Sequence, residues 1–347
     1  MDRWWKGEIM SVRSVFGTVL VVWAAFAASG AAQEKLGDLV AAGGYDWVIG
    51  KWVATMDDGQ KAESNFDWAL DKYVVLNDLR VGDFKYQGMI MLPPGGGDAF
   101  DEGADTRGGI WRGTWSPEGD GLVRRVEHTS PDGQARKGEI VYAKVDDDTI
   151  TIAIYATGDS GARNAEPWNK MTYKRQPPAK AAPVSAAAET GSRSTDYQTL
   201  GDVVAAGSYE WLIGKWVGNE NNRTYELEYK FILDKHAGSV DMKIGDFKYM
   251  GLITYAASRQ EAVECGADTL GRTWKMVWGQ EGSDIVNKTE LTNADGANQK
   301  LQHVFTKIDN DTFQGKLYNV TADGSRTGEP VEQVTFKRQK PAEKAAQ

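Results

Sequence analysis

The chain has 347 residues, a hydrophobic share of 41% and an aromatic share of 10%, the composition of a folded protein rather than a disordered one. Its net charge of −9, with lysines and arginines interleaved among acids, argues against a nucleic-acid partner, which needs clustered cations for the phosphates. Length alone sets a prior of two or three domains.

The N-terminal part carries the three components of a secretory signal. These are Ser11-Val12-Arg13-Ser14, an apolar run over 15–28, and the small residues Ser29-Gly30-Ala31-Ala32. Residues 1–32 are therefore read as a signal peptide cleaved after Ala32. The apolar run is shorter than the ~20 residues a membrane span needs, so the mature chain is expected to have no transmembrane segment. Residues 1–8, with Trp4-Trp5 and mixed charge, fit poorly as a signal start, and Met10 is the alternative initiator. The single cysteine, Cys265, permits no intramolecular disulfide, which suits a bacterial secreted or periplasmic protein better than a eukaryotic secretory route.

After the signal, one domain is written twice. Gly82-Asp83-Phe84-Lys85-Tyr86 returns as Gly245-Asp246-Phe247-Lys248-Tyr249, an offset of 245 − 82 = 163. Trp111, Trp115, Glu166-Pro167 and Lys174-Arg175-Gln176 return at the same offset, whereas Gly50 and Gly214 at the opening are one residue further apart. A period this long is a domain, not a solenoid repeat. The reading is a first domain over 33–176, an Ala/Pro-rich linker over 177–196, a second domain over 197–339 and a disordered tail over 340–347. Such a linker lets the two domains move independently unless they dock.

Each copy opens with a short helical stretch, Leu36-Gly37-Asp38-Leu39-Val40-Ala41-Ala42 or Leu200-Gly201-Asp202-Val203-Val204-Ala205-Ala206, closed by Gly43 or Gly207. Period-two alternation follows. Tyr225, Leu227, Tyr229 and Phe231 alternate with charged residues, and Trp274, Met276 and Trp278 recur at the same spacing, as do Leu301, His303 and Phe305. Turn signals such as Asp58-Gly59, Asp132-Gly133, Glu118-Gly119 and Asp323-Gly324 space these strands as an antiparallel meander. Roughly eight to ten strands of ~6–8 residues fit each copy, and closing the sheet removes its edges. The fold class expected is all-β: two tandem antiparallel barrels, each preceded by a short helix.

Gly-x-Trp opens the first strand of each copy, in Gly50-Lys51-Trp52 and Gly214-Lys215-Trp216, and a basic pair closes the last, Lys174-Arg175 and Lys337-Arg338. This resembles the lipocalin-like, or calycin, barrels. More narrowly, with Asp71-Lys72 and Asp234-Lys235 at a following turn, it is similar to secreted bacterial lipocalin-like domains of unsettled activity. The resemblance implies that Trp52 and Trp216 plug the closed end beneath Arg175 and Arg338. It implies no ligand class, and other sequence elements of typical lipocalins are not evident.

Polar residues that recur between copies are the internal filter for a site. Tyr86, Asp105, Trp111, Trp115 and Tyr155, with their counterparts Tyr249, Asp268, Trp274, Trp278 and Tyr318, form the candidate ligand-binding set. Gly103-Ala104-Asp105-Thr106 and Gly266-Ala267-Asp268-Thr269 are read as loops before a tryptophan-bearing strand. Their aspartates either face a barrel mouth or accept backbone N–H bonds in an Asx turn. The aromatic residues either wall a cavity for one small ligand or fill a core.

No catalytic residue, metal ligand or cofactor is assigned. None of the three histidines, His128, His236 and His303, recurs between copies. A haem ligand at His303 is weighed against a satisfied strand histidine, and a carboxylate pair such as Glu127 with Asp105 against surface acids. The leading functional expectation is an exported, non-catalytic binder of a small, apolar or amphipathic ligand. The alternatives are a cell-envelope interaction or structural module with filled barrels, and an enzyme using barrel carboxylates.

Overall fold

The computed structural model describes residues 35–158, 161–177 and 198–340. The expected signal peptide, most of the linker and most of the tail lie outside the described residues. Among the described residues the only two α-helices are α1 (Leu36–Ala42) and α2 (Leu200–Ala206), each preceding a barrel.

The first barrel consists of β1 (Gly50–Thr55), β2 (Lys61–Ala69), β3 (Val74–Val81), β4 (Phe84–Met91), β5 (Ala99–Asp105), β6 (Ile110–Glu118), β7 (Gly121–Thr129), β8 (Ala135–Asp146), β9 (Thr149–Ala156) and β10 (Asn169–Arg175). The second consists of β11 (Gly214–Glu220), β12 (Arg223–Ile232), β13 (Ala237–Ile244), β14 (Phe247–Ala256), β15 (Glu261–Asp268), β16 (Thr273–Glu281), β17 (Asp284–Thr292), β18 (Asn298–Lys307), β19 (Thr312–Asn319) and β20 (Glu332–Arg338). Each strand pairs antiparallel with its sequence neighbours, and first pairs with last, so both ten-stranded sheets close. The one-residue offset between copies sits in the first hairpin. Met56 to Gln60 makes a wide loop in one copy, whereas Asn221-Asn222, both at positive φ, makes a two-residue turn in the other.

One end of each barrel is sealed by the same device. Trp52 is fully buried, its indole N–H donates to the Val48 carbonyl at 2.9 Å, and the Arg175 guanidinium lies 4.1 Å from the ring centroid. Arg175 also donates to the Ile49 and Trp47 carbonyls at 2.8 and 2.7 Å. Trp216 and Arg338 repeat every contact, with Leu212, Ile213 and Trp211 as the carbonyl partners. The glycine of Gly-x-Trp follows from this packing: Gly50 sits at φ 125°, and a Cβ there would lie 2.8 Å from Arg175 Nη1. The cation over the ring is worth about 0.5–2 kcal/mol, and its bonds to the carbonyls tie the helix connection to the barrel floor.

The two barrels dock. Outward-facing Val74, Met89, Met91 and Ala104 of the first form one buried cluster with Ala237, Leu252, Val263, Cys265 and Ala267 of the second. Val74, Met89 and Ala104 are the 163-offset counterparts of Ala237, Leu252 and Ala267, so the interface is made by the same face of each copy. Its ion pairs are reciprocal: Lys85 reaches Asp234 at 3.7 Å and Lys248 reaches Asp71 at 3.1 Å. This is the pattern of an isologous, twofold interface, here closed within one chain. These half-exposed pairs contribute about 0–1 kcal/mol each, while burying one leucine-sized side chain contributes about 1.5–3 kcal/mol. The apolar face therefore holds the barrels together and the charges fix their register.

Asp71 and Asp234 reach across from strained turns. Leu70, Asp71 and Lys72 have φ of 46°, 53° and 73°, and Leu233, Asp234 and Lys235 have 50°, 54° and 70°. Left-handed backbone costs about 1–2 kcal/mol per non-glycine residue, so this turn persists because packing in both copies demands it.

Leu252→Asp would place a carboxylate inside the apolar contact without touching either barrel interior. The expected result is a larger radius of gyration in small-angle X-ray scattering with an unchanged β-type circular dichroism spectrum; an unchanged radius would contradict docking through this face.

Candidate functional site

Strand alternation points Tyr86, Asp101, Trp115 and Arg124 into the first barrel, where they close a polar centre. Arg124 holds Asp101 with two bonds, Nε to Oδ1 at 3.0 Å and Nη2 to Oδ2 at 2.5 Å, and also donates to Tyr86 Oη at 2.9 Å. Trp115 Nε1 donates to Asp101 Oδ1 at 2.7 Å, and its ring stacks on Tyr142 at 5.1 Å. Asp101 and Arg124 are both buried. Although burial disfavours the guanidinium charge, Asp101 more than offsets it, and the Arg124 pKa rises. Such a pair leaves no free charge for a ligand.

The second barrel solves the same position differently. Glu264 replaces Asp101, Asn287 replaces Arg124 and Met276 replaces Gly113. A Cβ at Gly113 would collide with Asp101 and Arg124, so the glycine makes room for the arginine. With Asn287 in its place, Met276 takes the space and its sulfur accepts from Asn287 Nδ2 at 3.1 Å. Glu264 keeps the two neutral donors, Tyr249 Oη at 2.5 Å and Trp278 Nε1 at 3.0 Å, but has no cation. Burial outweighs those bonds and pushes its pKa up to about 7. Nearby, Thr289 Oγ1 sits 3.1 Å from His303 Nδ1, and enclosure lowers the His303 pKa to about 4. A neutral imidazole hydrogen-bonded to threonine is a satisfied strand histidine.

Towards the open rim, Asp105 accepts from the Arg107 and Gly109 backbone at 2.8 and 3.0 Å and from Trp111 Nε1 at 2.7 Å. Burial raises its pKa, but these bonds and His128 outweigh it and lower the value. Asp268 repeats the arrangement with Leu270, Arg272 and Trp274. The reading of Gly103-Ala104-Asp105 and Gly266-Ala267-Asp268 as loops is corrected: they are the last residues of β5 and β15, and only Thr106 and Thr269 lie in the turn. Ala104 and Ala267 keep their strands flat against the other barrel, while the aspartates tie off the turn from within the strand.

Of the candidate set, Tyr86, Trp111 and Trp115 converge on the carboxylates of the first barrel, and Tyr249, Trp274 and Trp278 on those of the second. Tyr155 and Tyr318 do not join them. Ile150 and Ile152 point into the core, so Tyr155 faces outward, beneath the Arg163 guanidinium at 5.0 Å; Arg326 covers Tyr318 at 5.3 Å. Asp101, Arg124 and Glu264 were not found by the sequence filter, because identical recurrence excludes positions that exchange one acid for another or an arginine for an asparagine. The signal available was an aligned acid at Asp101 and Glu264.

Docking creates a further concavity. A groove of about 340 Å³ runs between the barrels, with Met91 and Phe100 on one side and Cys265 and Lys275 on the other; Glu102 and Lys300 also line it. Most of its side chains come from the outer faces of both copies, with Gly266 and Trp274 of the second also reaching it. Glu102 and Cys265 are counterparts, and they meet: burial first, then the Glu102 charge and hydrogen bond, hold the Cys265 thiol protonated, its pKa well above the ordinary value.

These features define a tandem two-barrel, all-β protein. No protein-family model matches the chain, and no curated protein matches it. Among solved structures it is similar to a protein of unknown function of the DUF3598 family from Nostoc punctiforme PCC 73102. Identity is 12%, coverage is 86% of this chain and 98% of that one, and the TM-score is 0.22. Among the described residues no helix is long and apolar enough to cross a membrane.

Two predictions follow from the interiors. Arg124→Met strands Asp101 as a buried, uncompensated charge and is expected to cost about 3–5 kcal/mol in urea denaturation, partly recovered by adding Asp101→Asn; a loss under about 1 kcal/mol would contradict the buried pair. Glu264 and His303 impose opposite pH dependences. The raised Glu264 pKa makes stability full below about pH 4.5 and falling toward about pH 7, by up to about 1.4 kcal/mol per unit. The lowered His303 pKa makes stability full above about pH 6.5 and falling toward about pH 4. Glu264→Gln should therefore gain on the parent as pH rises through the first window, and His303→Gln as pH falls through the second. Differences independent of pH would contradict these environments.

Proposed function

We propose that this protein is an exported, non-catalytic binding protein that holds a small amphipathic molecule in the groove between its docked barrels. The observation that carries the reading is the groove itself: about 340 Å³, with apolar Met91 and Phe100 against a charged rim. Ligand sites fall in the range of roughly 300–1,000 Å³ and favour domain interfaces. The barrel interiors compete less well. Their central carboxyls are already engaged by arginine, tyrosine and tryptophan, and their aromatic rings pack on one another. Acid–base catalysis is disfavoured for the same reason, since Asp101 is held by Arg124 and Glu264 is enclosed.

The signal-like segment over 15–32 supports export, and the single cysteine suits a bacterial periplasm or exterior better than a eukaryotic secretory route. The arginine-capped Trp52 and Trp216 support a place among lipocalin-like barrels, with ten strands where lipocalins have eight. A second reading, an envelope interaction module, is favoured by the aromatic rings that pack on one another inside the barrels and by the exposed Trp168 on the last connection of the first barrel.

The test is titration of the full chain with the neutral dye Nile red, followed by fluorescence. One dye per chain is expected, and Thr273→Trp, which narrows the groove, should weaken it by at least about tenfold with the fold intact. Absence of binding, or binding indifferent to Thr273→Trp, would turn the account toward the interaction module.

A further inference from the structure

The two halves permit the groove's charge preference to be read by internal comparison. In the first barrel the outward-facing cross-strand partners are Glu102 and Arg112, and they form an ion pair at 3.2 Å. In the second barrel the same two positions are Cys265 and Lys275. The cation has been kept and its acid removed. The thiol that stands in for that acid is buried beside Glu102, and burial first, then the Glu102 charge, holds it neutral. Glu102 is paired with Arg112, and among the described residues Lys275 has no carboxylate at ion-pair distance.

The remaining charges lining the groove are Glu290 and Lys300, which stand next to Lys275 in cross-strand register. With Glu102 balanced by Arg112, the wall carries two lysines against one glutamate. On the opposite side the first barrel contributes Met91 and Phe100, an apolar surface within the same groove.

Resting on the reading that this groove is a binding site, we propose that its ligand is an anionic amphiphile, a carboxylate or comparable acid on a short apolar body. The acid group takes the place on Lys275 that Glu102 takes on Arg112, and the apolar body covers Met91 and Phe100. Binding supplies the second barrel with the counter-charge that the first barrel builds in. A charge-assisted bond of this kind is about twice as strong as a neutral one, which separates an acid from its alcohol.

Isothermal titration of the full chain with octanoate and with octanol tests the assignment. Octanoate is expected to bind at least about tenfold more tightly than octanol, and Lys275→Met to abolish that difference while leaving octanol unchanged. Lys275→Glu should weaken octanoate further, and both variants alter an exposed side chain, so circular dichroism should not change. Equal binding of acid and alcohol, indifferent to Lys275, would overturn the charge assignment and leave the groove reading standing. Octanoate binding that survives Thr273→Trp would place the acid elsewhere and overturn it too. If neither compound binds, the assignment and the reading beneath it both fall.

Discussion

The two barrels pack through like faces, which brings one position of the first copy against its own counterpart in the second, and that contact organises this protein. Glu102 meets Cys265, the position where the copies differ most consequentially. A glutamate on both sides would bury two like charges together, which is costly; a glutamate facing a neutral thiol is not. The same substitution that makes the faces compatible also removes the acid from Lys275. The compatibility of the two faces at this point and the charge of the groove thus meet at one position.

Inside the barrels the copies have diverged in a correlated way. Arginine needs a glycine opposite and an aspartate to hold; asparagine leaves room for methionine and a longer glutamate to reach the same tyrosine and tryptophan. Tyr142 and Phe66 likewise become Phe305 and Tyr229, moving a hydroxyl across the core. Close-packed interiors permit such exchanges only in sets, because volume and hydrogen bonding must both be kept. The outcome is two barrels whose central carboxyls and aromatic rings are packed against one another by different sets of side chains.

How much of this was legible beforehand differs by level. Alternation in Tyr225, Leu227 and Tyr229, and turns such as Asp132-Gly133, carried the closed all-β architecture, because period and punctuation are local. The Gly-x-Trp and Lys-Arg motifs pointed to a plug, since a glycine beside a buried guanidinium leaves a trace in the sequence. Docking left a fainter one: Met89, Met91 and Leu252 are apolar at outward positions, which reads as noise until the partner face is known. The central acids escaped notice because Asp101 and Glu264 play one role with two residue types. The outward placement of Tyr155 and Tyr318 is hidden because an aromatic lying under Arg163 or Arg326 looks, in sequence, like one lying in a core.

The docked arrangement is most directly tested through the only thiol. Cys265 points away from its own barrel and is buried in the apolar cluster that both barrels share. In the unmodified full chain at neutral pH, maleimide labelling should run at least about a hundredfold slower than in the urea-unfolded protein. Labelling at the unfolded rate would mean that the two faces do not meet, and the groove with them would be gone.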